Sequence, residues 1–359
     1  MVILIVYQAK TADYAPEVNR SRSLYVKWER TVYDKKDPNS AGHSRPSLWL
    51  VKEIFYPLTT PEAVTATYEG GEVLVGTVGS DEEMNTPLML TDAAFWKVYQ
   101  FRFLAGKPFT EADFQSGMKQ AVIAKSVARR LFGGAENAIG KDILVNFAAY
   151  TVCGVVDDVN RFCEFTWSEV YAPYTSNAIA SEAEAGQTSG NNVITILARS
   201  TDDFDAIRNE VARGVAQINT TLGDMELQLM GQPDNFRMQL NRKFANQYEN
   251  LNANFWKYGI MILIILLVPA INLSGLTNTR MRRRLEELGI RKAFGATRNE
   301  LVWQVLNENL VLTVMGGLLG LALAYLFLWL MSDWLLQTVW GATATMLSLI
   351  HISEPTRRS

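Results

Sequence analysis

The chain has 359 residues, with 34 Lys or Arg against 37 Asp or Glu, and its net charge of −3 gives no electrostatic reason to expect a nucleic-acid partner. The apolar content of 48% averages over unlike parts, because long apolar runs are concentrated near the C-terminal end. Two histidines, His43 and His351, exclude a His-rich metal site. Two cysteines, Cys153 and Cys163, permit a disulfide in an oxidising compartment without requiring one.

Taken in order, Met1 to Tyr7 (MVILIVY) is apolar but shorter than the roughly 20 residues a spanning helix needs. Leu24, Val26 and Trp28 alternate with polar neighbours, which predicts a half-buried strand. Asp34 to Pro46 is polar with two prolines and predicts a loop. Leu48, Val51, Ile54 and Phe55 line one face of a short helix. The stretch from Val64 to Val78 reads as strands interrupted at Gly70-Gly71. Thr91 or Asp92 can cap a helix over Phe95 to Gln100, and Gly106 with Pro108 makes the following turn. Ala121 to Ala124 reads as a buried strand, and Ser126 as the cap of a helix from Val127 to Phe132 that Gly133-Gly134 ends. Ile143 to Asn146 and Thr151 to Val156 pair as a hairpin. AENAIGKD, from Ala135 to Asp142, imitates a phosphate-binding loop. It lacks the first Gly and the hydroxyl that would hold Mg²⁺, so no nucleotide site is expected.

The small, polar and acidic run from Asn177 to Asn192 predicts a loop. Val193 to Leu197 is a strand. Phe204, Ile207, Val211, Val215 and Ile218 follow helical spacing, with Thr201 or Asp202 as cap. Met225 to Met230 is a last strand. Mixed elements without a regular βαβ repeat indicate an α+β domain.

From about Asn235 the pattern is helical, polar through Asn254 and then apolar. Residues 255–276 have the length of a membrane span, with Trp256, Lys257 and Tyr258 at one end as an aromatic belt would place them and Pro269 as a kink. Leu310 to Ser332 is a second span, uncharged, with Gly316, Gly320 and Ala324 on one small face. That face suits a neighbouring span of the same chain or a second copy equally. Between the spans, seven Lys or Arg from Arg280 to Arg298 stand against Glu286 and Glu287, which places this loop on the cytoplasmic side. Arg280 to Phe294 reads as a helix stopped by Gly295, and Thr297 with Glu300 as a capping box that opens the next helix.

The run EELGIRKAFGATRNEL, flanked by RMRRR and QVLNENL, resembles the cytoplasmic loop of ABC transporter permeases of the FtsX/MacB family. The stretches TDAAFWKVYQFRFLAGKPFTEADF, QAVIAKSVARRLFGG, AIGKDILVN and YTVCGVVDDV resemble that family's MacB-like outer domain. The resemblance implies an α+β extracytoplasmic domain joined by a helical stalk to an all-α transmembrane domain with a cytoplasmic coupling helix. Residues 1–7 would be the stub of a first span, 8–234 the periplasmic domain, 235–254 the stalk and 255–276 a transmembrane helix. Residues 277–300 would be the coupling loop and 301–333 a helix including the second span. Residues 334–359 are set apart from the family, and their end, LSLIHISEPTRRS, resembles translated cloning or adapter sequence.

The resemblance further implies a partner ABC ATPase that binds the ATP, so this chain is expected to carry no cofactor and no catalytic residue. It implies a second permease copy in a homo- or heterodimer, a bacterial inner-membrane location and a possible periplasmic partner. Glu286, Glu287, Gly289, Ile290, Arg291, Lys292, Ala293, Phe294 and Gly295 would contact the ATPase. The implied function is mechanotransmission, in which ATP hydrolysis moves a periplasmic domain to export or release a peptide, an antimicrobial or a lipoprotein. Within the same superfamily the alternative is an FtsX-like regulator of murein hydrolases. Outside it, the alternative is a membrane sensor receptor, which would need a signalling element after its span.

Overall fold

A computed structural model describes residues 12–77, 79, 83–242, 245 and 251–336; the expected stub at 1–7, part of the stalk and the tail after 336 lie outside the described residues. Two units divide the chain, one holding Leu4–Glu249 and the other Asn250–Leu330.

The first unit begins with Ser23–Val26 (β1), Glu29–Val32 (β2) and Ala41–Pro46 (β3). All four residues of β1 are buried, because Leu24 and Val26 face one apolar cluster while Tyr25 faces another. The half-buried strand expected here is therefore buried on both faces. Alternation of side-chain type misleads when the polar-looking partner is a tyrosine held in an aromatic layer. The loop expected to Pro46 is also corrected. Its second half forms β3, paired with β2 from Ala41↔Val32 to Ser44↔Glu29, and Pro46 sits at the strand end where its missing N–H costs nothing.

Ser47 caps the helix Leu48–Leu50 (α1), which continues as a π-helical turn over Val51–Phe55 and buries the apolar face read from the sequence. Ala63–Thr77 (β4) is one strand rather than several, carrying a bulge between Glu69 and Gly71 where it pairs with Glu83–Thr91 (β5). The positive φ of 72° at Gly71 is what that bulge requires. The remaining elements are Phe95–Val98 (α2), Phe103–Gly106 (β6), Glu111–Gln115 (α3), Gln120–Ala124 (β7), Lys125–Phe132 (α4), Ala135–Ala138 (α5), Asp142–Val145 (β8), Ala148–Val156 (β9), Val170–Pro173 (β10), Ser189–Gly190 (β11), Asn192–Leu197 (β12), Phe204–Thr221 (α6), Glu226–Gln228 (β13), Asp234–Asn235 (β14) and Phe236–Asn241 (α7).

Ser126 lies inside α4 rather than capping it. Its N–H donates to Asp158 Oδ1 (2.9 Å), so a carboxylate distant in sequence supplies the cap. Ser200, not Thr201 or Asp202, opens the segment leading into α6, through a capping box with Asp203. The loop from Asn177 to Asn192 holds the short strand β11 against Pro46 and Arg45 of β3.

The large sheet runs β14-β1-β12-β4-β5-β10-β7-β9-β6, and β8 pairs with both β4 and β9. The strands β4, β5, β10, β7, β9 and β8 therefore close a ring, which leaves no edge along that circuit. A second sheet has the order β11-β3-β2-β13. One face of the large sheet packs on an aliphatic core with α1 and α6. The other carries Phe95, Tyr99, Phe109, Phe165, Tyr171 and Phe236 in an aromatic layer, with Tyr25 stacked on Phe165 at 4.2 Å. No disulfide forms: both cysteines are free, Cys163 is buried, and burial pushes the Cys153 thiol up to about 12.

In the second unit, Leu251–Ala293 (α8) and Arg298–Leu336 (α9) are two long helices. The expected span and the expected coupling helix are one uninterrupted helix, with Pro269 inside it. Helical hydrogen bonds are local, so a change from apolar to basic side chains does not break the ladder. The expected stalk is interrupted instead: α7 ends at Asn241 and Arg242 is extended. Among the described residues one helix, Arg298–Phe327, is long and apolar enough to cross a membrane, and α8 contributes the shorter apolar run Gly259–Ile271.

The β8–β9 turn consists of Asn146 and Phe147, both with positive φ (45° and 65°), as a two-residue hairpin of this twist demands. Asn146 tolerates this and bonds Leu74 through both its N–H and its side chain. Phe147 has no such help, and its ring is 79% exposed. Phe147→Gly should raise stability by about 1 kcal/mol, the lower end of the cost of holding a bulky residue in this region. A denaturant midpoint that stays put or falls would show the ring to be packed.

Candidate coupling elbow

The end of α8 is fixed by its own sequence. Gly295 takes φ 94° and its N–H donates to Lys292 O, while Ala296 N–H donates to Arg291 O, each at 3.1 Å. These two bonds are the Schellman pair that satisfies terminal carbonyls. On the other side, Thr297 N–H donates to Glu300 Oε2 (2.8 Å) and Glu300 N–H to Thr297 Oγ1 (3.4 Å), the reciprocal capping box read from the sequence. Two long helices are thus joined by a turn capped on both sides.

Arg291, expected at the ATPase contact, is bonded within the chain. Its Nη2 donates to Glu287 Oε1 (2.7 Å) and its Nη1 to Gln304 Oε1 on α9 (2.6 Å), so it braces the elbow from within the chain. Glu286, Gly289, Lys292 and Ala293 are exposed. Phe294 is 88% exposed and Ile290 59%, which makes them the apolar prominence of the turn. Along α9, Gly316 and Gly320 are exposed, and a Cβ at either would meet nothing within 4 Å; Ala324 is half-buried. Among the described residues no segment packs on the two glycines.

The sequence reading missed a buried ionic base in the outer unit. Glu17 and Arg20 are each 1% exposed and joined at 2.8 Å. Arg20 also donates to Ala12 O (2.6 Å) and Phe162 O (2.9 Å) and lies over the rings of Tyr14 and Phe236. Glu17 Oε1 accepts from Phe165 N–H and Thr166 Oγ1. A second pair joins Asp234 and Arg242, whose Nη2 donates to Asp234 Oδ1 (2.9 Å) and Met230 O (3.1 Å). The helical spacing of Glu17 and Arg20 was visible, but nothing local announced their burial.

Among the described residues three further carboxyls are buried without a bonded cation. Asp92 accepts from Thr65, Tyr56, Ala66 N–H and Phe95 N–H, so it caps α2 as one of the two residues expected to. Glu29 accepts from the hydroxyls of Thr31, Ser44 and Ser189. Glu169 accepts from Thr86 (2.7 Å) while its Oε1 has no hydrogen-bond partner among the described residues. Burial raises all three above the usual carboxylate range. Among the described residues no three His, Cys, Asp or Glu side chains converge as metal ligands would.

The sequence model of the MacB-like periplasmic core domain matches residues 1–213, well over half of the chain, and that of the FtsX-like permease C-terminal matches 259–352. The chain belongs to the MacB/FtsX family of ABC transporter permeases. The second match runs past Asp333 to residue 352, so it takes in part of the stretch that the sequence reading set apart from the family. Among curated relatives, the uncharacterized ABC transporter permease YknZ of Bacillus subtilis is 26% identical over 246 residues, covering 68% of this chain and 58% of the relative. The macrolide export ATP-binding/permease protein MacB of Wolinella succinogenes is 26% identical over 294 residues, covering 80% and 42%. The chain thus spans only part of the length of either relative. The extracellular domain of YknZ from Gram-positive bacteria covers 57% of this chain and 99% of its own, at 19% identity and a TM-score of 0.41.

Two consequences of the buried charges in this MacB-type chain can be measured. Removing one partner of a buried pair strands the other, so Arg20→Ala should cost about 3–5 kcal/mol in denaturant unfolding; a loss below 1 kcal/mol would mean water reaches Glu17. Glu169 has its folded-state pKa raised, so its native form holds a proton that the unfolded chain releases. Wild-type stability should then fall as pH rises from the ordinary Glu value, about 4.3, through the raised one. Glu169→Gln does not titrate. Its melting temperature relative to wild type should rise between pH 4 and pH 7, and a flat difference would place Glu169 in water.

Proposed function

We propose that this chain is the permease subunit of an ABC transporter of the mechanotransmission type in a bacterial inner membrane. A partner ATPase binds and hydrolyses ATP, and the permease conveys the resulting movement to its outer domain to export or release a substrate. The observation that carries this reading is the elbow between α8 and α9: Phe294 and Ile290 stand in solvent on a turn held by caps on both sides. An exposed aromatic prominence on a rigid turn suits insertion into a groove of a protein partner. The name of the Wolinella relative, an ATP-binding/permease protein for export, supports the pairing with an ATPase.

Movement imposed at the elbow travels along α8, whose 43 residues make a rod of roughly 65 Å. Arg291 keeps the angle between the two helices while Phe294 is pushed, and Glu286, Glu287 and Lys292 set the charge around the contact. The apolar residues from Ile260 to Val268 and from Leu310 to Phe327 are largely exposed in the isolated chain and would face lipid or a second permease copy. Gly316 and Gly320 permit the close approach of that copy.

The test uses the full-length permease with its ATPase. Phe294→Ala should leave membrane insertion unchanged and reduce ATPase co-purification by roughly 30-fold, the size expected for a buried aromatic anchor worth about 2 kcal/mol. Ile271→Ala, on the apolar run of α8, should leave co-purification unchanged. Equal recovery of ATPase with Phe294→Ala and wild type would remove the elbow from the interface.

A further inference from the structure

A cleft of about 350 Å³ opens on the outer unit between the end of α1, the start of β4, the N-terminus of α2 and helix α3. Tyr56, Leu58, Glu62, Asp92, Glu111 and Phe114 form its chemically distinctive wall, and among the described residues no Lys or Arg lines it. Its aromatic floor is fixed. Asp92, saturated by four donors, holds the Tyr56 hydroxyl at 2.7 Å; that hydroxyl meets Tyr174 Oη at 3.1 Å, and Tyr174 packs edge-on against Phe114 at 4.8 Å.

The charges of the wall are not equivalent. Glu62 is paired with Arg22 at 2.7 Å and Asp92 is buried among its donors. Glu111 is exposed in the first turn of α3, bonded only to the amide of Gln115 (2.7 Å), and no ion pair neutralises it among the described residues. The cleft therefore combines aromatic side chains, an aliphatic wall from Leu58, and one carboxylate without an ion pair at its rim. Its volume falls in the range that holds small organic ligands, roughly 300–1,000 Å³. An anion would be repelled by Glu111, the one carboxylate of the wall with neither an ion pair nor a full set of donors, and a neutral ligand would gain nothing from its charge. A cation attached to an apolar body uses both features, pairing with Glu111 while its body packs on the aromatic and aliphatic wall.

We propose that this cleft is a binding site for an organic cation, an ammonium group joined to an apolar body, with Glu111 as the charge partner and Tyr56, Leu58 and Phe114 as the apolar bed. The site is formed entirely by the outer unit, so it binds without the ATPase, and its failure would leave the coupling role of Phe294 untouched.

Equilibrium dialysis of the purified full-length chain against three probes of one skeleton tests it: 4-phenylbutyltrimethylammonium, 4-phenylbutanol and 4-phenylbutyrate. The ammonium probe should be retained most strongly and the carboxylate least. Glu111→Gln should raise the ammonium Kd about fivefold and Glu111→Lys more, while Glu136→Lys, an exposed reversal of the same sign outside the cleft, should leave it unchanged. Leu58→Ser, which removes apolar surface without adding charge, should weaken the phenyl contribution for the ammonium and the alcohol alike. Equal retention of the ammonium probe by Glu111→Lys and wild type, or of the ammonium and carboxylate probes by wild type, overturns the proposal.

Discussion

The outer unit depends on a guanidinium that has been taken out of water. Arg20 meets Glu17, two backbone carbonyls and two aromatic rings, and its partners come from three separate parts of the chain: residues 12–17, the segment around Phe162 and the helix beginning at Phe236. Burying two charges is expensive, and the attraction between them offsets that cost only when the leftover donors and acceptors also find partners. Here they do, since Glu17 accepts two further bonds beyond its cation. The Asp234–Arg242 pair repeats the device where α7 stops. Segments far apart in the outer unit are therefore tied to each other through charges that lose much of their stabilisation if any one segment moves away.

Around that base the sheet behaves as a wall with two inner faces. Leu88 and Leu90 point to the aliphatic core while Met89 between them points to the aromatic layer, and the same division separates Leu24 and Val26 from Tyr25. Closure of the ring by β8 removes the open edge that β4 would otherwise present beside β5. In the second sheet the hydroxyls around buried Glu29 draw Ser44 of β3 and Ser189 of β11 to one carboxylate. Polar satisfaction there adds to burial in attaching a loop to a sheet.

The elbow of the second unit shows the opposite economy. Its geometry is set by residues within a few positions of the turn: a glycine at positive φ, a threonine and a glutamate three residues on. Nothing distant is needed, which leaves Phe294 and Ile290 free to be presented rather than consumed in holding the turn. Arg291 reaches beyond its own helix, to Gln304, and so braces the turn beside the residues that it presents.

What the sequence determined by itself are the features whose causes are local. The stop at Gly295, the capping box at Thr297, the cap by Asp92, the hairpin ending at Val156, the helix from Phe204 and the apolar run through Phe327 all follow from short-range hydrogen bonds, backbone freedom or composition. The family followed from the long matching run around the elbow and from the stretches after Met89. What only the tertiary structure decided are the features that need partners far away in the chain. The double burial of β1, the strand at Ala41–Pro46, the cap of α4 by Asp158 and the continuity of α8 across a change in polarity could not be read from a window of neighbours. The buried pairs are the clearest case. A glutamate three residues before an arginine reads as a solvated helical pair, and only the arrival of Phe162, Phe165 and Phe236 turns it into a sealed ionic base, because burial is a property of what surrounds a residue and not of the residue itself.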